Sequence, residues 1–414
     1  MADRQLISSL HRVSARIRVA PWWAQIGLTY FATRLLTFAF FLTLSLFQGR
    51  TFWTGPHPSY FDYLNIWDAE WYQRIFDHGF GEPPGYPFIL PVDGAGNVQQ
   101  NAWAFMPVYP LLVKAISVAT GFEWKVLAPL LSTAVGYALC LVIFKLLKLR
   151  LDERTASWAV LLFCLAGASP MLQVGYAESL GLLWLALGLY FLMQHRYLRA
   201  LPFLALLSLT RPGMVAFAMM LAGMWIVRLV KHRRGLLEFE RRERWQLGAL
   251  TVISGALGFA WFVVAWAFTG RFDAYVSTEL AWRLGYTGHS KLIPFEGWWI
   301  SFGYHFGNWF GPVLLVAVIA VTTWMLLSKP VAALGNELRL WCASYIVYLL
   351  LVFFPQSSTW RILLPVFPLY GALAVISVRW PKWGRALLVA AAILTQLAWL
   401  ATCWYYQEPD YTVP

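Results

Sequence analysis

Trp67-Asp68-Ala69-Glu70-Trp71-Tyr72 stands just after the first long apolar run of a very hydrophobic chain. Around it, residues 60–78 (YFDYLNIWDAEWYQRIFDH) read as one amphipathic helix closed by Gly79, a residue suited to a left-handed C-cap. Leu64, Trp67, Trp71 and Ile75 recur at spacings of three and four, so they share one apolar stripe. Asp68 and Tyr72 lie one turn apart beside that stripe. Such a helix lies flat in the membrane interface and holds Asp68 near the level of the lipid headgroups. A carboxylate held there, facing a large membrane domain, suits chemistry on a lipid-linked substrate. The plainer alternative is an interfacial helix whose charges face water.

Composition places the rest of the chain in a membrane. Hydrophobic residues make up 59% and charged residues 13% of 414 residues, which suits an all-α, polytopic membrane protein and exceeds what a soluble domain needs. The 24 Trp and 17% aromatic content fit interfacial belts. The net charge of +12 does not point to nucleic acid, because the basic residues cluster in short links between alternate apolar runs. Cys140, Cys164, Cys342 and Cys403 lie in or at the ends of apolar runs without CxxC or CxxH spacing, so neither a disulfide framework nor a metal site is indicated. The basic N-terminus (Arg4, Arg12, Arg16, Arg18) precedes an apolar run too long for a signal h-region and reads as leading into a retained first span.

Long apolar runs occur near 24–47, 126–147, 156–172, 177–193, 198–210, 212–231, 246–268, 309–327, 338–354, 361–378 and 385–404, about eleven spans in all. With the N-terminus cytoplasmic, the inner segments hold 22 of the 32 basic residues and the outer side nine, with Arg34 inside the first span. The acidic residues invert this, 13 of 20 falling outside. Residues 104–120 are apolar but contain Pro107, Pro110 and Lys114, and read as a second interfacial or re-entrant helix. Two outer segments are long enough for function, 48–125 and 269–308. The longest inner link, 228–245, mixes charges like an ordinary solvated loop.

Neither a Walker loop nor a GxGxxG after a strand occurs, so a nucleotide-sugar donor or nucleotide-driven transport has no support. HExxH and paired His/Cys ligand spacings are missing too, and no metal or other cofactor is called for. Chemistry therefore falls to polar residues on the outer side. Asp68 and Glu70 form an Asp-x-Glu pair, but on a helix i and i+2 diverge by roughly 200°, so one ion cannot readily take both. Glu70 is better placed to pair with Arg74 four residues on. Arg211, in Leu-Thr-Arg-Pro, and Arg361, in Ser-Thr-Trp-Arg-Ile-Leu-Leu-Pro, stand at outer span ends. A guanidinium at membrane depth needs a partner. These two could hold an anionic phosphate, or snorkel, or pair with a carboxylate such as Glu178. Glu178 opens an outer helix end, where an acid also complements the helix dipole. Arg34, in mid-span, must have a partner. His78, His289 and His305 carry no motif and read as solvated or packing residues.

Together these pieces resemble the PIG-V family of membrane mannosyltransferases. The match is carried by Trp67-Asp68-Ala69-Glu70-Trp71-Tyr72 running on to His78-Gly79-Phe80, and by Ala104-Phe105-Met106-Pro107-Val108-Tyr109-Pro110-Leu111. Tyr176-Ala177-Glu178-Ser179-Leu180 followed by Thr210-Arg211-Pro212, and Arg361-Ile362-Leu363-Leu364-Pro365 through Phe367-Pro368, continue it in the family's order over most of the chain. Family members often read Phe-Phe-Pro-Leu-Tyr-Pro where this chain has Phe105-Met106-Pro107-Val108-Tyr109-Pro110, an exchange of apolar for apolar. The resemblance implies a GT-C-type helical bundle whose first outer loop carries the essential acid on interfacial helices. It also implies a polyprenyl-phosphate-sugar donor, a lipid or glycan acceptor, and a compact bacterial version of the enzyme in the plasma membrane.

On this reading, Asp68 is the general base of an inverting hexosyl transfer, most naturally of mannose, at the extracytoplasmic face. Arg211 and Arg361 hold the leaving phosphate, and Tyr72, Tyr109, Glu178, Glu70 and Arg34 bind or orient the substrate. Two other classes fit a polytopic chain. A lipid-linked glycan flippase should place ionisable residues at mid-membrane, whereas here, Arg34 apart, they gather at the outer rim. A non-catalytic subunit of a glycan-assembly complex would make Asp68 dispensable.

Overall fold

The computed structural model describes residues 20–81, 88–406 and 414. The basic N-terminal residues Arg4 to Arg18 lie outside them. Regular structure among the described residues is helical, apart from one isolated antiparallel bridge between Val92 and Val98. Six helices are long and apolar enough to cross a membrane: Trp22–Phe47, Trp124–Lys148, Met214–Arg233, Arg241–Thr269, Phe310–Leu327 and Lys382–Trp404. These make the chain an integral membrane protein. The other five apolar runs also fold as helices, but shorter ones: Glu153–Cys164, Glu178–Met193, Tyr197–Ser208, Asn336–Val352 and Pro368–Ser377.

Two of these five runs, expected to be continuous, are broken. The run 156–172 leaves its helix after Cys164 and resumes as a 3-10 turn at Ser169–Gln173, with Pro170 in its first turn. The run 361–378 is divided into Thr359–Ile362, Leu364–Val366 and Pro368–Ser377, because Pro365 and Pro368 cannot donate to the preceding turn. Breaks of this kind expose carbonyls that need donors in a low-dielectric setting. Arg34 supplies them at the first break. Its Nη1 donates to the Ser169 carbonyl at 2.6 Å and its Nη2 to the Cys164 carbonyl at 2.7 Å. Gln396 Nε2 donates to Ser169 Oγ at 2.6 Å, which ties the last long helix into the same knot.

The stretch 60–78 is not one helix. It forms a short turn of helix at Tyr60–Tyr63 and a longer helix at Asp68–His78, with Trp67 between them at φ 61°, ψ −129°. Asn65 follows the first piece, its Nδ2 donating back to the Phe61 carbonyl within it and across to the Lys125 carbonyl, both at 2.8 Å. Trp67 is held in its unusual conformation by its ring, which packs 4.7 Å from Trp53 and 5.8 Å from Tyr406. Positive φ with extended ψ is costly for any residue with a Cβ, and such strain persists only where the surroundings impose it. Gly79 closes the longer helix at φ 77°, the sign expected of a C-cap glycine, but with ψ −147° in place of the left-handed value.

Residues 104–120 give a helix only at Val108–Thr120, too short to cross a membrane, as their prolines suggested. Tyr109 and Val113 bury its inner face against Tyr72, Ile75 and Trp124. Residues 269–308 fold as the helices Ala274–Ala281, Leu284–Thr287 and Glu296–Phe306. They are fastened to residues 48–125 where Asn101 Nδ2 donates to Thr278 Oγ1 at 3.0 Å. Just ahead of them in the chain, Trp261 Nε1 donates to the Trp103 carbonyl at 2.9 Å. The mixed-charge link 228–245 contributes Glu243, which joins three helix ends by accepting from Tyr197 at 2.6 Å and Arg228 at 2.8 Å.

Candidate active site

Asp68 is the first residue of its helix, where the helix dipole favours a carboxylate. Its backbone N–H donates to the hydroxyl of Tyr176 at 2.9 Å, and that hydroxyl donates in turn to the Ile66 carbonyl at 3.3 Å. Tyr176, fully buried, therefore clamps both sides of the strained Trp67 and sets where Asp68 points. The same ring carries the guanidinium of Arg361 5.3 Å above its face.

The charged side chains meet in one cluster. Arg361 Nη1 lies 2.5 Å from Asp68 Oδ2 and 3.6 Å from Glu178 Oε1. Arg211 Nη2 lies 3.2 Å from the same Glu178 oxygen, and its Nη1 is 3.5 Å from the Tyr72 hydroxyl. Burial, partly opposed by Arg211, pushes the Tyr72 hydroxyl up to about 12. Glu178 opens its helix, and Gly181 one turn later makes room for Arg211: a Cβ there would stand 2.7 Å from Arg211 Cγ. Arg211 itself lies at the break before Pro212 and Gly213, the latter at φ 131°. Two arginines against two carboxylates leave the cluster neutral, the condition under which buried charges are tolerable.

The cluster is balanced in charge but not saturated in hydrogen bonds. Among the described residues, Arg361 Nε has no hydrogen-bond partner, and neither Glu178 oxygen receives a hydrogen bond of normal geometry.

All five of these side chains, Asp68, Tyr72, Glu178, Arg211 and Arg361, border one cavity of about 550 Å³. Its walls are otherwise largely apolar, with Leu182, Leu185, Leu207, Met214, Leu257, Phe262 and Leu349 among them. The structure does not bring the other three sequence candidates to it. Arg34 is engaged at the Cys164–Ser169 break. Tyr109 stands behind Tyr72, its hydroxyl 2.9 Å from Ser132 Oγ and 3.0 Å from the Ala128 carbonyl. Glu70 pairs with Arg74 at 2.5 Å and accepts from Trp53 Nε1 at 2.8 Å, so its carboxylate turns away from that of Asp68. No group of three or more potential metal ligands stands together among the described residues.

Sequence reading missed Tyr176 as the residue that positions Asp68, and it missed a further part of the wall. Tyr275, Glu279 and Arg283, within residues 269–308, also line the cavity. Their i, i+4, i+8 spacing was a usable signal that one helix face carries all three. Burial raises the Glu279 carboxyl to about 7, against the pull of Tyr275, Arg283 and Arg211, with Asp68 adding to the rise. Burial also lowers Arg283, whose Nη1 donates to the Val352 carbonyl at 3.1 Å.

Neither a family model nor a curated protein matches this chain. Among solved structures, the apo oligosaccharyltransferase of Archaeoglobus fulgidus aligns at 12% identity and a TM-score of 0.44, covering 92% of this chain and 57% of that one. The same protein in complex with Zn and sulfate aligns at 13% identity and a TM-score of 0.45, over 91% of this chain and 54% of that one. Archaeal oligosaccharyltransferase AglB from Archaeoglobus fulgidus, in complex with an inhibitory peptide and a dolichol-phosphate, gives 14%, 0.43, 92% and 56%. The chain thus spans little more than half the length of the proteins it matches.

Proposed function

We propose that this protein is an inverting glycosyltransferase that moves a hexose, mannose in the first instance, from a polyprenyl-phosphate donor to a hydroxyl of a lipid or glycan acceptor. The observation that carries this reading is the meeting of Asp68 with Arg361, Arg211 and Glu178 at the edge of one largely apolar cavity. Apolar walls suit an isoprenoid chain, and the clustered guanidiniums suit the phosphate at its end. The sequence resemblance to PIG-V mannosyltransferases points the same way.

In the reaction, the acceptor oxygen bonds to the anomeric carbon from the face opposite the phosphate, while the anomeric carbon–phosphate oxygen bond breaks. The proton of the acceptor hydroxyl passes to Asp68, and polyprenyl phosphate leaves with the bonding electron pair. An inverting displacement needs one base and no nucleophile, so a single carboxylate suffices. Arg361 is ion-paired to Asp68. Donor phosphate then competes for that guanidinium, using the unpartnered Nε–H of Arg361 and the Arg211 fork. As the phosphate engages Arg361, Asp68 is released towards the acceptor. Charge growing on the leaving oxygen is met by fixed cations, and a leaving phosphate of this kind requires no general acid.

We place the site on the extracytoplasmic face of the plasma membrane, with the N-terminus inside, from the asymmetry of basic residues between alternate links. The test of function is transfer by the purified protein from polyprenyl-phosphate mannose, with acceptor lipids read by mass spectrometry. Mass gain of one hexose on an acceptor supports the reading; no gain across lipid extracts and simple glycolipids overturns it.

A further inference from the structure

The cavity that holds Asp68 has a second set of polar side chains on its wall, and the reaction above leaves them unused. The helix Ala274–Ala281 and the turn after it present Tyr275, Val276, Glu279, Trp282 and Arg283 to the cavity. These positions repeat at three and four, so a single helix face is turned inward. Thr278 fastens that helix to the first outer segment through Asn101 at 3.0 Å. Trp282 packs edge-on to Trp71 and Phe105, both ring centroids 5.9 Å away, which fixes the helix end against the wall that carries Asp68.

Glu279 differs from the other two carboxylates of the cavity. Asp68 and Glu178 are ion-paired to arginines, whereas Glu279 makes no ion pair among the described residues. A carboxylate enclosed beside aromatic rings, with the Tyr275 hydroxyl as a nearby donor and Arg283 and Arg211 near it but not ion-paired to it, keeps acceptor sites open to a ligand. Sugars supply that chemistry: adjacent hydroxyls donate to a carboxylate while their C–H faces rest on aromatic rings.

We propose that Glu279 is the residue that binds the acceptor, and that the acceptor is a polyol, a sugar headgroup held by one hydroxyl at Asp68 and by others at Glu279. Trp282 and Tyr275 flank it. The proposal rests on the glycosyl-transfer reading for Asp68 but concerns the other substrate, and it makes Glu279 a determinant of acceptor choice with no role in donor binding. The groups facing Glu279 are Tyr275 and Arg283 from its own segment, and Asp68, Arg211 and Tyr348 from the elements packed against it, with Glu296 beside Arg283. Its carboxyl, raised to about 7, makes the interaction sensitive to pH, because only the ionised form accepts from two hydroxyls at full strength.

The experiment is calorimetric titration of the full-length protein in lipid nanodiscs with hexyl α-mannopyranoside, with its fully O-methylated analogue as the control that cannot donate. The wild-type protein is expected to bind the free sugar and not the methylated one, and to bind it less well at about pH 6 than at about pH 8, as Glu279 takes up its proton. Glu279→Gln should weaken binding about tenfold or more and abolish the pH dependence. Binding of polyprenyl phosphate and a cooperative melting transition should both be retained. Equal affinity in the wild type and Glu279→Gln, absence of sugar binding by the wild type, or loss of polyprenyl-phosphate binding or of the melting transition in the variant each overturns the proposal. Glycosyl transfer is scored separately. If the wild type transfers nothing from polyprenyl-phosphate mannose while sugar binding still depends on Glu279, the transfer reading fails and the polyol site stands.

Discussion

Nη1 of Arg361 lies 2.5 Å from Oδ2 of Asp68, joining residues 293 positions apart in the chain. The contact brings the helix Asp68–His78 onto the broken end of the Thr359–Ile362 region. Arg361 neutralises Asp68 and Glu178 in a buried setting, and under the proposed function it also offers a cation to an incoming phosphate.

The two tasks separate under substitution. Arg361→Ala leaves two carboxylates short of a partner and should cost about 3–5 kcal/mol of stability, as removal of one member of a buried pair generally does. Arg361→Lys keeps the charge but loses the planar fork, so stability should recover in large part while polyprenyl-phosphate affinity recovers only partly. Melting temperature and polyprenyl-phosphate binding measured on the same purified variants distinguish these outcomes. Normal phosphate binding by both Arg361→Ala and Arg211→Ala would move the phosphate elsewhere, with Arg283 the nearest alternative on the cavity wall.

Gly181 tests the placement of Arg211 without touching a charge. An added Cβ would stand 2.7 Å from Arg211 Cγ and 3.3 Å from its Cβ. Gly181→Val should therefore displace Arg211 from Glu178, lowering donor affinity about tenfold or more through the loss of a charge-assisted contact. Gly223→Val serves as the control, since a Cβ there meets only Leu340 Cδ2, at 3.7 Å. Equal donor affinity in the two variants would separate Arg211 from phosphate binding.

Glu279 carries a pH signature in stability as well as in binding. Its carboxyl is raised from an ordinary 4.5 to about 7 in the folded protein. Between those values the folded state holds a proton that the unfolded state releases, so stability falls as pH rises through that window and is level above it. Glu279→Gln removes the effect. The variant should melt above the wild type at about pH 8, by up to about 3 kcal/mol, and the gap should close towards about pH 4.5. A gap independent of pH would show that burial does not hold the Glu279 proton.

The helices and much of the site were legible in the sequence because both rest on local signals. Apolar runs placed the helices, and within 104–120 the helix is confined to Val108–Thr120. Asp68 and Tyr72 stood out beside the apolar stripe of an amphipathic stretch, and Glu178, Arg211 and Arg361 as charged residues at the ends of apolar runs; all five converge on one cavity. What failed depends on partners distant in sequence. Arg34 was rightly said to need a partner, but those partners are carbonyls freed by a break at 164–169 that no periodicity reveals. The break at Trp67 comes from packing against Trp53 and Tyr406, so residues 60–78 passed as one helix. Glu279 went unnoticed because its segment looks like an ordinary loop helix until the fold sets it in the cavity that holds Asp68.

Orientation is open to a direct test. Single cysteines at Gly94 and Arg234, both in exposed positions, should be labelled by a membrane-impermeant maleimide from opposite faces of the membrane, Gly94 from outside. The four native cysteines are buried and should stay silent. Labelling of both sites from the same side would overturn the proposed topology.

The most direct test of the central claim is the turnover of Asp68→Asn with polyprenyl-phosphate mannose, measured beside Glu70→Gln. Asparagine keeps the shape of the side chain, and the Tyr176 clamp holds the backbone, so the variant should insert, fold and bind polyprenyl phosphate. Its transfer rate should fall about 10²–10⁴-fold, the usual contribution of a general base. Glu70→Gln, whose carboxylate is turned to Arg74 and Trp53, should stay within about threefold of the wild type, as expected of a surface ion pair. Near wild-type turnover by Asp68→Asn would contradict the account.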